Sequence, residues 1–207
     1  MAPALVRRPV RPAALAPLAA LLAAGCASLG PAAPPEIAAA ARQTASYAAS
    51  LRVRLDGPEL RARTAALVAF RRPDGLRVEI PGPAGPRLVV VARAGRLVAV
   101  FPGERAVLES SADAGELEKL LGIGLAPGEM MDLLVGVGSP RLSEYRVGWG
   151  PRLPGRVEAR LPDGGRLRVT ITQPEAGVAL RDEAFAPPPH AGYRRIDAEE
   201  ARTLWSR

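Results

Sequence analysis

The stretch Ala66-Leu67-Val68-Ala69-Phe70-Arg71-Arg72-Pro73-Asp74-Gly75-Leu76-Arg77-Val78-Glu79-Ile80 decides the fold of this chain. Ala66, Val68 and Phe70 share one parity, and Arg61, Arg63 and Arg71 take the other. After Pro73-Asp74-Gly75, a turn sequence, Leu76, Val78 and Ile80 alternate with Arg77 and Glu79. A side-chain period of two makes strands with one buried and one wet face, and the turn residues join them. Working outward, Leu51, Val53 and Leu55 alternate with Arg52 and Arg54. Downstream, residues 87–92 and 96–101 flank Arg93-Ala94-Gly95, a hairpin turn, and residues 105–109 add a short strand.

The period then breaks. Residues 114–121 and 127–135 read as two short helices joined by Gly122-Ile123-Gly124, with Pro127 suited to a first turn. Strands resume at 142–148, 156–161, 166–172 and 177–181, with Asp163-Gly164-Gly165 as the turn between the middle two. Before all of these, residues 36–49 are alanine-rich and read as a helix with one apolar side. The pattern predicts a mainly β protein with helices: a curved antiparallel sheet of about ten strands, closed or nearly closed, covered by short helices. One sheet face is expected to be apolar and the other almost entirely arginine.

The 207-residue chain has a single cysteine, Cys26, directly after Leu21-Leu22-Ala23-Ala24-Gly25. Arg7, Arg8 and Arg11 precede this apolar stretch and no acid does, the layout of a secretory signal peptide. The stretch is short and interrupted by proline, whereas a spanning helix takes about 20 apolar residues. The segment resembles the lipobox of bacterial lipoproteins, with Ala23 where the family usually has Leu, Val or Ile. That resemblance implies cleavage after residue 25 and acylation of Cys26. The expected organisation is a signal peptide over 1–25, a lipidated N-terminus and tether over 26–35, a barrel domain over 36–186, and a proline-rich extension over 187–207 with a short helix near its end.

Without residues 1–25 the chain carries 25 basic and 21 acidic groups, too small a surplus for a nucleic-acid binder. Only Lys119 among the 28 basic residues is not arginine. His190, the sole histidine, lies in the proline-rich tail, so a core Ser-His-Asp triad, a Cys-His dyad and the usual zinc sites lack their residues. Carboxylate pairs such as Glu116 with Glu118, or Glu129 with Asp132, have the spacing of a solvated helix face. Gly122-Ile123-Gly124 lacks the trailing Lys-Ser/Thr of a phosphate loop. The expectation is a non-enzyme with no metal and no cofactor. Its inward parity is Val, Leu, Ala and Ile, which either fills a dry core or lines a cavity shaped for acyl chains.

Between about Tyr47 and Val178 the chain resembles the Lol (localisation of lipoproteins) family: the outer-membrane receptor LolB and its periplasmic carrier relative LolA. The resemblance rests on residues 70–78, the Pro83-Ala84-Gly85 loop, residues 120–127 leading to Leu133-Leu134-Val135-Gly136, and residues 161–167. It implies an incomplete antiparallel barrel closed over by helices around a cavity for lipoprotein acyl chains. The cavity would draw on Val68, Phe70, Val78, Ile80, Leu88, Val90, Leu97 and Phe101, with Met130, Leu133 and Leu134 in the helical lid. Pro83, Ala84 and Gly85 would face the membrane, Ala84 standing where LolB carries a protruding leucine. The implied partners are acyl chains or lipid, a LolA-like carrier and the membrane reached through the anchor. The chain would act as a monomer on the periplasmic side of the outer membrane. The other reading kept from the sequence is a structural or assembly lipoprotein of an envelope complex, with the same fold and a filled core.

Overall fold

The computed structural model describes Gly30 and residues 35–206. Cys26, the leader over 1–25 and all of the tether but Gly30 and Pro35 lie outside the described residues. The chain begins with α1 (Pro35–Arg42) and six strands follow: β1 (Ser46–Asp56), β2 (Arg61–Arg71), β3 (Gly75–Gly82), β4 (Gly85–Arg93), β5 (Arg96–Phe101) and β6 (Ala106–Ser111). Two helices, α2 (Ala114–Leu121) and α3 (Pro127–Leu134), precede β7 (Glu144–Trp149), β8 (Pro154–Arg160) and β9 (Arg166–Ala176). A 3-10 turn at Asp182–Phe185, the two-residue β10 (Arg194–Arg195) and α4 (Ala198–Ser206) complete it.

All ten strands form one sheet in the order β10-β6-β5-β4-β3-β2-β1-β9-β8-β7. Pairing is antiparallel except for β10 with β6. The sheet does not close: β7 and β10 are its two edges. Its inward face and the four helices packed against it make the main core, in which Phe70, Leu88, Leu97, Phe101, Leu117, Leu120 and Met131 are fully buried.

The alternation that decides the fold holds through β1, β2 and β3. The hairpin at Ala94 and Gly95 has φ of 50° and 73°, a turn with both central residues left-handed, whose twist matches that of the strands it joins. Asp113 caps α2 by accepting from the Glu116 N–H, and Gly122 ends it at φ 69°. A Cβ at Gly122 would stand 2.8 Å from Leu55 and 2.9 Å from Leu60, so glycine is required there on two counts.

Four expectations need correction. The first helix stops at Arg42, because Tyr47, Ala49 and Leu51 extend the inward parity of β1 back to Ser46. No strand forms over 177–181; that segment leaves the sheet and crosses its outer face. That outer face is not arginine throughout: Val89 and Val91 of β4 point outward and are buried under Phe185. Residues 187–207 are not a mere extension, since β10 adds to the sheet edge and α4 packs on α2. Trp205 donates from Nε1 to the Leu120 carbonyl at 2.6 Å, and Arg202 donates to the carbonyls of Glu118 and Lys119. The Lys119 and Leu120 carbonyls at the end of α2 are thereby satisfied by α4, and Arg202 adds a second donor to the Glu118 carbonyl, which already accepts from the Gly122 N–H.

Candidate functional site: an apolar cavity under α3

A cavity of about 80 Å³ lies between the inward face of the sheet and the α2–α3 segment. Its sheet wall comes from Leu51, Val53 and Leu55 of β1, from Ala62, Thr64, Ala66 and Val68 of β2, from Val78 and Ile80 of β3, and from Leu167 and Val169 of β9. The roof is Leu121, Ile123, Leu125, Met130, Leu133 and Leu134, and Trp205 of α4 reaches one side. Among the described residues that line it, only Thr64 and Trp205 carry a side-chain N or O atom, and the Trp205 N–H is already engaged by Leu120. A space of this kind stays dry and favours apolar occupants.

The register explains the wall. Val53 stands opposite Thr64 on one side and Val169 on the other, and Val68 stands opposite Val78, so consecutive strands present one continuous apolar surface. Val53, Ala62, Thr64, Val78, Ile123 and Met130 are each only half-buried and mark the mouth. Met130, unbranched and adaptable, is the lid residue at that mouth. Its neighbour Met131 is fully buried in the core instead.

The roof is held from its outer side by polar contacts. Asp132 of α3 accepts from Arg72 at 2.6 Å, and Arg72 also donates to the Thr44 carbonyl. Glu129 accepts from the Ala126 N–H at 2.8 Å and from the Ser139 hydroxyl, and Arg141 stands 3.5 Å from it. The Tyr145 hydroxyl donates to the Leu133 carbonyl at 3.1 Å, and burial raises its pKa far above the usual tyrosine value. The helix thus turns its apolar side to the cavity and is tied down by side chains from the β2–β3 turn, from β7 and from the α3–β7 loop.

Of the residues the resemblance assigned to the cavity, Val68, Val78, Ile80, Met130, Leu133 and Leu134 line it. Phe70, Leu88, Val90, Leu97 and Phe101 are buried in the core beside it and do not reach its wall. The inward parity named which side these residues face but not how far along the sheet the helices leave a gap. The β1 and β9 wall residues, Ala62, Thr64 and Ala66 of β2, the roof residues Leu121, Ile123 and Leu125, and Trp205 are not among those named for the cavity from the sequence. Their inward alternation was legible, but the pairing of β1 with β9 joins residues more than a hundred positions apart. Pro83 and Ala84 form the exposed two-residue turn between β3 and β4, and Gly85 opens β4.

No protein-family model matches the chain, and no curated protein matches it. Among solved structures it is similar to a LolA superfamily protein from Nitrosomonas europaea. The two are 12% identical over 73% of this chain and 96% of the other, with a TM-score of 0.45. A conserved, uncharacterized protein from Thermus thermophilus is 12% identical over 78% and 96%, with a TM-score of 0.44. A domain from Vibrio parahaemolyticus named for outer-membrane lipoprotein sorting is 10% identical over 72% and 94%, with a TM-score of 0.38. At such values function has to be read from the cavity itself.

Proposed function

We propose that this protein is a membrane-anchored lipoprotein that takes acyl chains into the cavity beneath α3 and acts, in the manner of LolB, in moving lipoproteins or lipid to the outer membrane. The observation that carries this reading is the nearly all-apolar cavity whose mouth has a methionine lid. Each acyl methylene buried there contributes about 0.8 kcal/mol. The volume takes only part of an acyl chain, so uptake requires α3 to swing on its polar ties, and transfer needs no covalent step. The leader and Cys26 supply the anchor in this reading, and the outer membrane is its proposed location.

The alternative of a docking lipoprotein with a filled core is less well supported. Among the described residues, the large apolar side chains left exposed are Ile37 and Leu67, on separate elements, and they form no patch.

The test is uptake of a fluorescent fatty-acyl probe by the full chain, followed by native mass spectrometry. Binding should be lost in Met130→Glu, whose charge sits at the mouth where water reaches it, and in Ala66→Leu, which fills the wall. Both should keep the circular dichroism of the parent. A parent chain that takes up no probe, or variants that bind as well as it does, would overturn the reading.

A further inference from the structure

We infer that the outer face of β2-β1-β9-β8-β7 is a docking surface for an anionic phospholipid membrane. Three adjacent cross-strand rows make up the end of this face nearest Asp56. They contain Arg52 and Arg156; then Arg63, Arg54, Arg168, Glu158 and Arg146; then Arg61, Asp56, Arg166, Arg160 and Glu144. Nine arginines thus face three carboxylates, which leaves the rest of residues 26–207 with 16 basic and 18 acidic groups. The positive surplus of the protein beyond its leader is concentrated on one half of one sheet face.

The carboxylates present are already used. Asp56 pairs with Arg54 at 2.8 Å, Glu158 with Arg156 and Arg168, and Glu144 with Arg160. Arg52, Arg61, Arg63, Arg146 and Arg166 are exposed and make no ion pair among the described residues. Arg54 stands directly opposite both Arg63 and Arg168, an arrangement of like charges that weakens a sheet by itself. A plane of phosphate headgroups supplies the missing anions across the whole face at once.

The tether gives the occupant. Gly30 forms a bridge with Val147 of β7: its N–H donates to the Val147 carbonyl at 2.9 Å, and its carbonyl accepts from the Val147 N–H at 3.1 Å. Val147 lies between Arg146 and the Gly148–Arg156 pair, at the edge of the arginine face. Gly30 is four positions after Cys26, so the anchor stays within about 14 Å of that edge. This geometry rests on the proposed reading of Cys26 as the lipid-bearing residue. An anchor so close to β7 lays the arginine face on the bilayer and turns the α3 roof, on the other side of the sheet, away from it.

The experiment is arginine footprinting of the full chain with phenylglyoxal, read by mass spectrometry, on vesicles of phosphatidylcholine alone and with added phosphatidylglycerol. Arg52, Arg61, Arg63, Arg146 and Arg166 should lose reactivity on the anionic vesicles at low salt and regain it at high salt. Arg96, Arg181 and Arg195, on the other half of the molecule, should react equally throughout. Replacing Arg52, Arg63 and Arg166 by Gln should lower the phosphatidylglycerol-dependent part of binding about 100-fold, at about five-fold for each charge. Equal reactivity of the two arginine sets on anionic vesicles would overturn the proposal, as would a triple variant that binds like the parent. So would protection of the face only when an acidic protein is added. Acyl-probe uptake by the same samples without vesicles, and the mass of the peptide bearing Cys26, report separately on the reading of the cavity and anchor.

Discussion

The two halves of the sheet's outer face treat their arginines in opposite ways. On β2, β3 and β4, Arg71, Arg77 and Arg93 hold down the chain that follows β9. Arg71 and Arg93 both reach Asp182, Arg71 also donates to the Leu180 carbonyl, and Arg77 donates to the carbonyls of Ala184 and Ala186. Phe185 is thereby pressed onto Val89 and Val91, with the Arg71 guanidinium 5.3 Å from its ring centre. On the other half no strap is seen among the described residues, and five arginines are exposed there. An arginine is thus a structural clamp where a strap lies over it and a free recognition group where none does. The partner, not the residue type, separates the two.

The strongest way to break that contrast is Phe185→Ala. A fully buried phenylalanine truncated to alanine loses about 3–5 kcal/mol, and here Val89 and Val91 would be exposed as well. Denaturant unfolding should report a loss at the lower end of that range, because the site borders solvent, and residues 178–190 should become open to protease. The bare half, having no strap, offers no substitution of comparable cost.

A smaller effect comes from acid. The hydrogen bonds and charges of Arg71 and Arg93 hold the Asp182 carboxyl below its ordinary value of 3.8. A carboxylate with a depressed native pKa stabilises the fold fully above its unfolded value and loses that contribution as pH falls through the native one. Protection factors of the amides around residues 180–186, corrected for the intrinsic pH dependence of exchange, should therefore be flat above pH 3.8 and fall below it. Asp56 on the bare half is also held low, chiefly by its hydrogen bond from Arg54, but titrating it releases no segment. Loosening of the strap at neutral pH in the parent would contradict this account.

The contrast between the halves also shows what the sequence made legible. Strict alternation in β1, β2 and β3 announces a sheet wet on one side; β1 and most of β2 behave so, while in β3 Arg77 and Glu79 are half-buried beside the strap. In β4 the run Leu88-Val89-Val90-Val91-Ala92 is unbroken, which is the pattern of a strand buried on both faces. Read as one more alternating strand, it concealed the strap. The partner of Val89 and Val91 is Phe185, nearly a hundred residues on, just beyond the segment 177–181 whose local pattern reads as a strand. Trp205 was hidden for a similar reason. The repeat of Ala198, Ala201 and Trp205 marked a helix with an apolar side, but only the tertiary fold shows that α2 lacks carbonyl partners there. Cavity position was the least legible, because periodicity gives the facing of a residue and not what stands opposite it.

The smallest expected effect on stability tests the bare half most sharply. Arg63 is exposed, forms no ion pair among the described residues, and stands across from Arg54. Arg63→Gln should change stability by no more than about 0.5 kcal/mol, as for most surface sites. Arg63→Glu replaces a like-charge pair with an opposite-charge one and should stabilise the sheet by about 0.2–1 kcal/mol. The same substitution places a negative charge in the middle row of the arginine face and should weaken association with anionic vesicles. A gain in stability coupled to a loss of membrane binding would mean that the fold tolerates repulsion at this position for the sake of a surface it presents. A gain in stability with binding unchanged would leave the arginines of this half as unpaired charges with no partner to meet.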